Sequence, residues 1–311
     1  MNPTASGRIP VAEPPRAASG HIARTLGLPG GKSLELGLRP CVMGIVNLTP
    51  DSFWEGSRKP DPRIAADTAL AMLAEGADIL DFGAESTRPG SAFVEEAEEL
   101  SRLIPALRAF RKVSNAPVSV DTRRAMVAKA ALDEGADIVN DISALADPGM
   151  AEAVAAMRAA IVLMHMKGNP ATMQQNPEYA DCAVEVAEFL AAAAVRALGA
   201  GIGRDRIILD PGIGFGKKLE HNLDLLRRLY LETSLGYPVL VGLSRKRVIG
   251  ELTGRAVPER MAGSIGAACA AWAGGADILR VHDVAATRDA LDLFAACVPQ
   301  MPVPKTGEAV R

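Results

Sequence analysis

Apolar runs in this chain lead directly into side chains that can carry charge or form hydrogen bonds. In residues 207–217, IILDPGIGFGK, three apolar residues precede Asp210. Pro211 and the three glycines after it allow the backbone to turn sharply and to approach a ligand closely. A carboxylate at this point can accept hydrogen bonds from ligand N–H groups. For a lone Asp, however, a helix N-cap or turn position is the commoner role.

Similar side chains follow other apolar runs. The candidates at the ends of these runs or in the loops after them are, in chain order, Asn47, Thr87 with Arg88, Asp121, Asn140, Asp210, Ser244 with Lys246, and Arg280 with His282. Any one of them could be a structural cap or a loop anchor. Together they are an ordered set of amides, carboxylates and cations, and such a set predicts a common site.

Part of this set suits a flat heterocycle. Asp121, Asn140 and Asp210 offer acceptors and a side-chain amide, which match ring N–H and amino donors. Lys246 could match a ring carbonyl or nitrogen beside them. The alternative for Lys246 is a solvated charge in a loop.

The remaining members indicate an anion pocket. Arg88, Arg280 and His282, with Asn47, can bind phosphate oxygens, because guanidinium groups match their geometry. Arg280 and His282 are two residues apart, so an extended strand places both side chains on the same side. The alternative for His282 is a structural position in the first turn of a helix.

Two loops that are rich in Gly, Pro, Ser and Thr also contain charged or aromatic residues. LTPDSFWEGS (48–57) contains Asp51, Phe53 and Trp54, and AESTRPGSA (84–92) contains Thr87, Arg88 and Pro89. Aromatic residues in such loops predict lids that close over a substrate and exclude water. The alternative is that Phe53 and Trp54 only cover the rim of the domain.

Composition narrows the class of protein. The chain has 311 residues, of which 49% are hydrophobic and 23% charged, and its net charge is −3. This balance gives no basic field for nucleic acid or for an anionic membrane surface. The four cysteines are widely spaced and the first 30 residues hold no continuous apolar segment, so we expect a cytoplasmic protein without a signal peptide. No window approaches the roughly 20 apolar residues of a membrane span.

Eight apolar runs alternate with helix-compatible segments. The runs are VMGIVN (42–47), DILDFG (78–83), VSVD (118–121), IVNDI (138–142), IVLMH (161–165), IILD (207–210), VLVGL (239–243) and ILRV (278–281). Helical spacing of apolar residues predicts helices near 61–75, 95–111 and 123–134. Because the runs are continuously apolar, they are typical of parallel strands covered on both faces.

A short internal repeat supports this count. EGADI (75–79), EGADI (134–138) and GGADI (274–278) each place a glycine where a left-handed helix cap is needed and an Ile at the start of the next strand. Eight strand–helix units predict an α/β fold with a single (β/α)8 TIM barrel. An open doubly wound sheet is the alternative, but no GxGxxG follows the first strand. We expect a disordered extension over 1–31, the barrel over 32–299 and a loose tail over 300–311.

The motifs resemble those of the dihydropteroate synthases of folate biosynthesis. Over about residues 40 to 296, seven occur in that family's order: MGIVNLTPDSF (43–53), DFGAESTRPG (81–90), SVDT (119–122), NDI (140–142), DPGIGFGK (210–217), GLSRK (242–246) and RVHDV (280–284). The resemblance implies a barrel enzyme that joins 6-hydroxymethyl-7,8-dihydropterin pyrophosphate to p-aminobenzoate and releases pyrophosphate. Leu48 and WEGS (54–57) depart from the family's usual Val and SDGG.

The resemblance also implies a role for each candidate. Asp121, Asn140, Asp210, Phe215 and Lys246 would hold the pterin. The pyrophosphate would bind Asn47, Arg88, Arg280 and His282, with Asn47 also helping to bind Mg²⁺. Phe53, Pro89, Phe215 and Ser244 would line the p-aminobenzoate site. The residues expected to act in catalysis are Asp51, Thr87, Arg88, Asp121 and Lys246.

Other functions remain possible at this point. A methyltetrahydrofolate methyltransferase is a pterin-binding barrel too, but it should lack the pyrophosphate pocket. A non-catalytic paralogue should have lost lid residues, and Asp51, Thr87 and Arg88 are present. The resemblance further implies a homodimer formed through the last barrel units and inhibition by sulfonamides.

Overall fold

A short antiparallel hairpin precedes eight parallel strands. The computed structural model describes residues 21–48, 61–85, 94–170 and 172–297. The hairpin consists of β1 (Arg24–Gly27) and β2 (Ser33–Leu36). The parallel strands are β3 (Cys41–Asn47), β4 (Ile79–Gly83), β5 (Val118–Asp121), β6 (Ile138–Asp141), β7 (Ala160–Met164), β8 (Ile207–Asp210), β9 (Leu240–Gly242) and β10 (Ile278–Val281).

The eight parallel strands form a closed barrel. Each strand from β3 to β8 pairs with the next, and β10 pairs with both β3 and β9. A parallel bridge between Leu209 and Val239 joins β8 to β9, and the amide of Leu209 donates to the carbonyl of Pro238 at 2.9 Å. The predicted (β/α)8 barrel is therefore confirmed, and the open doubly wound sheet is excluded.

Helices cover the outside of this barrel. They are α1 (Pro62–Ala74), α2 (Glu96–Arg111), α3 (Ala125–Asp133), α4 (Met150–Met157), α5 (Cys182–Gly199), α6 (Leu219–Arg227), α7 (Tyr230–Thr233), α8 (Arg247–Thr253), α9 (Met261–Ala273) and α10 (Val284–Cys297). The first three agree with the predicted helices to within two residues at each end. In the part of the chain that the structure describes, no helix is long and apolar enough to span a bilayer.

The apolar core has two layers, inside and outside the barrel wall. The outer layer joins the strands to the helices. The inner layer contains buried side chains from the barrel strands, including Met43, Ile79, Ile138, Val162, Ile208, Leu240 and Ile278. Leu26, Leu28 and Leu36 belong to this inner cluster, so the hairpin closes the amino-terminal end of the barrel.

This hairpin corrects the predicted N-terminal boundary. Strand β1 lies inside the segment 1–31 that we expected to be disordered, and Leu26 and Leu28 are fully buried. The prolines and glycines of this segment led to the expectation of disorder. The segment also contains two leucines, which are buried at the open end of the barrel. Residues 1–20 and the predicted tail, with its boundary at 299, lie outside the described residues.

The repeated GAD segments behave as their glycines predicted. Gly76, Gly135 and Gly275 have φ values of 97°, 93° and 99°, a left-handed conformation that side chains with a Cβ rarely adopt. Two residues after the motif's alanine, Ile79, Ile138 and Ile278 begin their strands.

The aspartates of the repeat have a role that the sequence analysis did not assign. Each accepts a hydrogen bond from the backbone at the start of a neighbouring strand: Asp78 from Val42 at 2.9 Å, Asp137 from Val118 at 3.0 Å, and Asp277 from Val239 at 2.9 Å. Each also pairs with a basic residue of the N-terminal segment, in the pairs Arg39–Asp78, Lys32–Asp137 and Arg24–Asp277. The repeat therefore attaches residues 24–39 to the barrel.

Candidate active site

A cavity of about 280 Å³ opens at the carboxyl end of the barrel. Its lining includes the nine predicted site residues that the structure describes, namely Asn47, Asp121, Asn140, Asp210, Phe215, Ser244, Lys246, Arg280 and His282. Asn47, Asp121 and Asp210 are the last residues of their strands. Asp51, Phe53, Thr87, Arg88 and Pro89 lie outside the described residues.

Arg280 forms the centre of a polar network inside the barrel. Its Nε donates to Oδ2 of Asp81 at 2.6 Å, and its Nη2 donates to Oδ2 of Asp121 at 2.9 Å. The side-chain amide of Asn140 also donates to Oδ2 of Asp81, at 3.2 Å. The network therefore joins β4, β5, β6 and β10. It also shows that Arg280, a residue of the predicted anion pocket, contacts Asp121 of the predicted heterocycle site. The two predicted sites are therefore contiguous.

The buried position of Asp121 changes its acidity. Burial raises the pKa of Asp121 to about 7, even though the guanidinium of Arg280 opposes this effect. A carboxyl group with this pKa can accept hydrogen bonds from a ligand when ionised and can donate one when protonated. Its hydrogen-bonding role therefore changes near neutral pH.

Asp210 both stabilises the turn after β8 and lines the cavity. Its Oδ1 accepts a hydrogen bond from the amide of Gly212 at 2.7 Å, so the alternative role as a turn residue is also correct. Burial raises the pKa of Asp210, and the nearby Lys246 opposes this shift. The carboxylate remains in the lining of the cavity.

Lys246 is not the solvated loop charge that we considered as an alternative. Its Nζ donates to the carbonyl of Ile213 at 2.5 Å and lies 4.6 Å from the centre of the Phe215 ring. Burial lowers the pKa of Lys246 to about 8, while Asp210 acts in the opposite direction. Its neighbour Arg245 instead pairs with Asp283, through bonds of 3.1 and 2.5 Å.

Ser244 and His282 lie side by side at the ends of β9 and β10. Oγ of Ser244 is 3.0 Å from Nδ1 of His282 and accepts a hydrogen bond from the His282 amide at 3.2 Å. His282, directly after β10, lines the cavity together with Arg280, as expected for residues two apart in an extended segment. The structural alternative for His282, a first-turn helix residue, does not describe this position, because α10 begins at Val284.

Comparison with known proteins agrees with this site. The family described as pterin binding enzyme matches residues 43–282. Dihydropteroate synthase of Neisseria meningitidis serogroup B is 50% identical over 273 residues, covering 84% of this chain and 94% of that protein. The chain belongs to the dihydropteroate synthase family. The predicted family is thus confirmed.

Solved dihydropteroate synthases share the fold as well. The Xanthomonas albilineans enzyme with 4-aminobenzoic acid has a TM-score of 0.83 and 46% identity, covering 89% of this chain and 100% of that one. The Thermus thermophilus enzyme in complex with 6HMPPP has a TM-score of 0.77 and 46% identity, covering 88% and 100% of the two chains.

Several residues of this dihydropteroate synthase family member were missed by sequence reasoning. Asp81 is fully buried, and its signal was a charged residue in the middle of an apolar strand, which we read only as part of that strand. Lys217 ends the motif DPGIGFGK and is 2% exposed, although a lysine after a glycine loop usually faces solvent. Gln174 contacts the same loop from a segment without a recognisable motif.

Proposed function

We propose that this chain is a dihydropteroate synthase, which joins 6-hydroxymethyl-7,8-dihydropterin pyrophosphate to p-aminobenzoate and gives 7,8-dihydropteroate and pyrophosphate. The observation that carries the proposal is the single cavity wall on which Asp121, Asn140 and Asp210 lie beside Lys246 and Arg280. This wall offers acceptors for a flat ring next to a cation for an anionic group. The substrates are small molecules, and the Thermus and Xanthomonas relatives bind 6HMPPP and 4-aminobenzoic acid.

The pterin is bound by the polar residues at the strand ends. Asp121 and Asp210 accept hydrogen bonds from ring N–H and amino groups, and Asn140 can both donate and accept. Lys246 donates to a ring carbonyl or nitrogen, and Phe215 lies beside it. Protein contacts hold Asn140, Asp210 and Lys246 in place, so little reordering is needed on binding.

The pyrophosphate is bound by Asn47, Arg280 and His282, with help from Arg88. All three of the described residues line the cavity at the ends of β3 and β10. In the described part of the chain, no three His, Cys, Asp or Glu side chains are placed to hold a metal ion. Mg²⁺ usually keeps several waters and takes one or two protein ligands plus substrate phosphates, and the amide oxygen of Asn47 fits that role. When bound, Mg²⁺ would offset charge on the leaving group.

The reaction begins with breakage of the C–O bond, whose electron pair leaves with pyrophosphate. Arg280 and His282 stabilise the charge that develops on this leaving group. Asp121 and Asp210 lie close to the pterin methylene cation that remains and stabilise it. The arylamine nitrogen of p-aminobenzoate then forms the new C–N bond and loses a proton.

The p-aminobenzoate is bound next to the pterin. Ser244 and Phe215 line this part of the cavity, and the family resemblance assigns Phe53 and Pro89 to the same site. The same resemblance assigns catalytic roles to Asp51, Thr87 and Arg88, whose loop sequences are typical of lids that exclude water.

An assay of pyrophosphate release tests the proposal. The purified protein is incubated with the pterin pyrophosphate and Mg²⁺, with and without p-aminobenzoate, and 7,8-dihydropteroate is measured alongside pyrophosphate. Equal amounts of both products are expected only when both substrates are present. Methyl transfer from methyltetrahydrofolate to a corrinoid protein, without formation of dihydropteroate, would favour the alternative activity instead.

The protein acts in the cytoplasm as a homodimer. Leu252, Val257 and Met261 are 57%, 45% and 46% exposed, and they lie in or between α8 and α9 of the last barrel units. An exposed apolar patch of this kind is typical of a protein interface. Sedimentation velocity tests this proposal, and Leu252→Lys with Met261→Lys should shift a dimer to the monomer.

A further inference from the structure

The loop that follows β8 is held by side chains at each of its carbonyls from residue 212 to residue 216. Lys246 binds the carbonyl of Ile213, Gln174 donates to that of Gly214 at 2.6 Å, and the hydroxyl of Tyr179 donates to that of Gly216 at 2.8 Å. The other two carbonyls, those of Gly212 and Phe215, accept from Lys217 at 3.0 and 3.1 Å. The loop therefore depends mainly on side-chain donors, with one backbone hydrogen bond of its own, from the amide of Phe215 to the carbonyl of Gly212 at 3.0 Å.

Lys217 makes the largest number of these contacts. Besides the two loop carbonyls, its Nζ lies 2.8 Å from Nδ1 of His165 and 3.3 Å from the carbonyl of the same residue. The side chain is 2% exposed, and none of these four acceptors carries a negative charge. A buried ammonium group without a carboxylate partner is costly, which implies that its hydrogen bonds serve a purpose.

The protonation of His165 fits its role as an acceptor. Burial, together with the charge of Lys217, lowers the pKa of His165 to about 3, so its ring is neutral near pH 7. Burial also lowers the pKa of Lys217 to about 7, while Cys182, Asp210 and Glu232 act against this shift and Lys246 adds to it. Both the protonated and the neutral amine carry N–H groups, so Lys217 can donate to Nδ1 of the neutral imidazole in either form.

The glycines bring the loop backbone up to this lysine. A Cβ at Gly212 would lie 1.9 Å from the carbonyl oxygen of His165, and a Cβ at Gly216 would lie 2.4 Å from that of Lys167. The loop therefore contacts the segment after β7 without room for side chains. This close approach leaves the carbonyl of Phe215 dependent on Lys217, whereas that of Gly212 also accepts from the amide of Phe215 at 3.0 Å. A buried acceptor that loses its donor is costly, so removing Lys217 should loosen the loop.

We propose that Lys217 is a positioning residue, which holds loop 211–216 against His165 so that Phe215 and the carbonyl of Ile213 face the substrates and Lys246. This inference rests on the proposed function, because it assigns Phe215 to the p-aminobenzoate and pterin sites. Lys217 acts through backbone carbonyls and His165, and the reacting atoms are contacted by other residues.

Lys217→Met tests this role, with Lys218→Met as the matched control. Both changes remove one positive charge from adjacent positions, but Nζ of Lys217 alone binds the loop carbonyls. In Lys217→Met we expect the KM for p-aminobenzoate to rise by about tenfold or more while kcat stays within about threefold of wild type, because binding is lost equally from ground and transition states. A folded Lys217→Met enzyme with an unchanged KM, or with a loss in kcat alone, overturns the proposal.

Hydrogen exchange of the substrate-free protein gives a readout that does not depend on activity. Backbone amides of 211–217 should exchange faster in Lys217→Met and at the wild-type rate in Lys218→Met. Unchanged exchange in both variants contradicts the proposal. Failure of the wild-type protein to release pyrophosphate would instead contradict the proposed function, so the two can be told apart.

His165→Phe keeps the inference testable if Lys217→Met does not fold. The phenyl ring can retain the edge-to-face contact with Phe189, whose ring centre is 4.9 Å away, but it cannot accept from Lys217. We expect His165→Phe to raise the KM for p-aminobenzoate by about threefold, which is less than the rise in Lys217→Met. The double variant should have the same KM as Lys217→Met alone, because the two residues act through one contact. A wild-type KM in His165→Phe, or additive effects in the double variant, overturns the proposal.

Discussion

Arg280 and Asp81 form an ion pair across the barrel interior, with Nε and Oδ2 2.6 Å apart. The two residues belong to β10 and β4, and strand β3 lies between them. Asp81 is fully buried, whereas the Arg280 side chain is 20% exposed and reaches the cavity. The guanidinium that we assign to the pyrophosphate is thus held in place by a buried carboxylate that does not line the cavity.

Because Arg280 pairs with Asp81, replacing Arg280 should affect both turnover and stability. Arg280→Ala should lower turnover by roughly a hundredfold, since one charge-assisted donor to the leaving group is worth on the order of 3 kcal/mol. It should also lower stability, by on the order of 3 kcal/mol or more, because Asp81 is left buried and unpaired. Melting temperature and single-turnover rate with Mg²⁺ titrated measure the two effects separately.

The double variant Arg280→Ala with Asp81→Asn separates structure from chemistry. The neutral amide removes one of the two buried carboxylates that lose Arg280, the other being Asp121, so the melting temperature should recover in part while turnover stays low. Recovery of turnover together with stability would mean that Arg280 only neutralises Asp81 and that the pyrophosphate is bound elsewhere.

The raised pKa of Asp121 predicts a pH dependence of pterin binding. Because its pKa is about 7, the carboxyl group is ionised above that pH and becomes protonated as the pH falls through it. Pterin affinity should therefore be high above this pKa and decline below it, since the protonated group loses part of its capacity to accept hydrogen bonds. Calorimetry across the pKa, on wild type and Asp121→Asn, measures this. The same decline in both proteins would place the titrating group elsewhere.

Asp210→Asn should weaken pterin binding strongly and leave the loop largely intact. The amide oxygen of Asn can still accept from Gly212, but its NH₂ group cannot accept from the ring donors of the pterin. An unsatisfied buried donor pair costs about 1–3 kcal/mol, which is roughly 10-fold to 100-fold in affinity. Calorimetry on the folded variant decides this, and unchanged affinity would remove Asp210 from the pterin site.

Sulfonamides should compete with p-aminobenzoate. Both present an arylamine opposite an anionic or polar end, and the shared site would be formed by Phe215 and Ser244 with Phe53 and Pro89. Steady-state inhibition measured at several p-aminobenzoate concentrations should show relief as the substrate is raised. Inhibition that is independent of p-aminobenzoate argues against a shared pocket.

The hairpin at the amino end of the barrel should contribute to stability but not to chemistry. Leu26 is fully buried in the inner apolar layer. Leu26→Ala should lower the free energy of unfolding by about 2–5 kcal/mol through the lost burial and the cavity left behind. Chemical denaturation measures this change, with Leu38→Ala as a control because Leu38 is 64% exposed. A kcat close to wild type is expected in both variants.

Much of this molecule could be predicted because its signals are local. Continuous apolar runs and repeated glycine caps identified eight strands, and the carboxyl ends of parallel strands in a barrel meet on one face. That rule brought Asp121, Asn140 and Asp210 together before any coordinates were known. The roles of Asp81 and Lys217 were not predicted, because they depend on partners far along the chain, namely Arg280 and His165. A sequence shows that a residue is charged, but not that folding buries it beside its partner.

The ion pair between Arg24 and Asp277 has a consequence for how the chain folds during synthesis. The two residues are 253 positions apart, and Asp277 immediately precedes β10, the strand that pairs with β3. Strand β3 therefore has no partner on one edge until β10, which follows the other seven barrel strands, has been made. Contacts of such long sequence separation form slowly. Before β10 is made, the earlier strands can form at most an open sheet with two unpaired edges, and unpaired edges of this kind are where partly folded chains aggregate or bind chaperones.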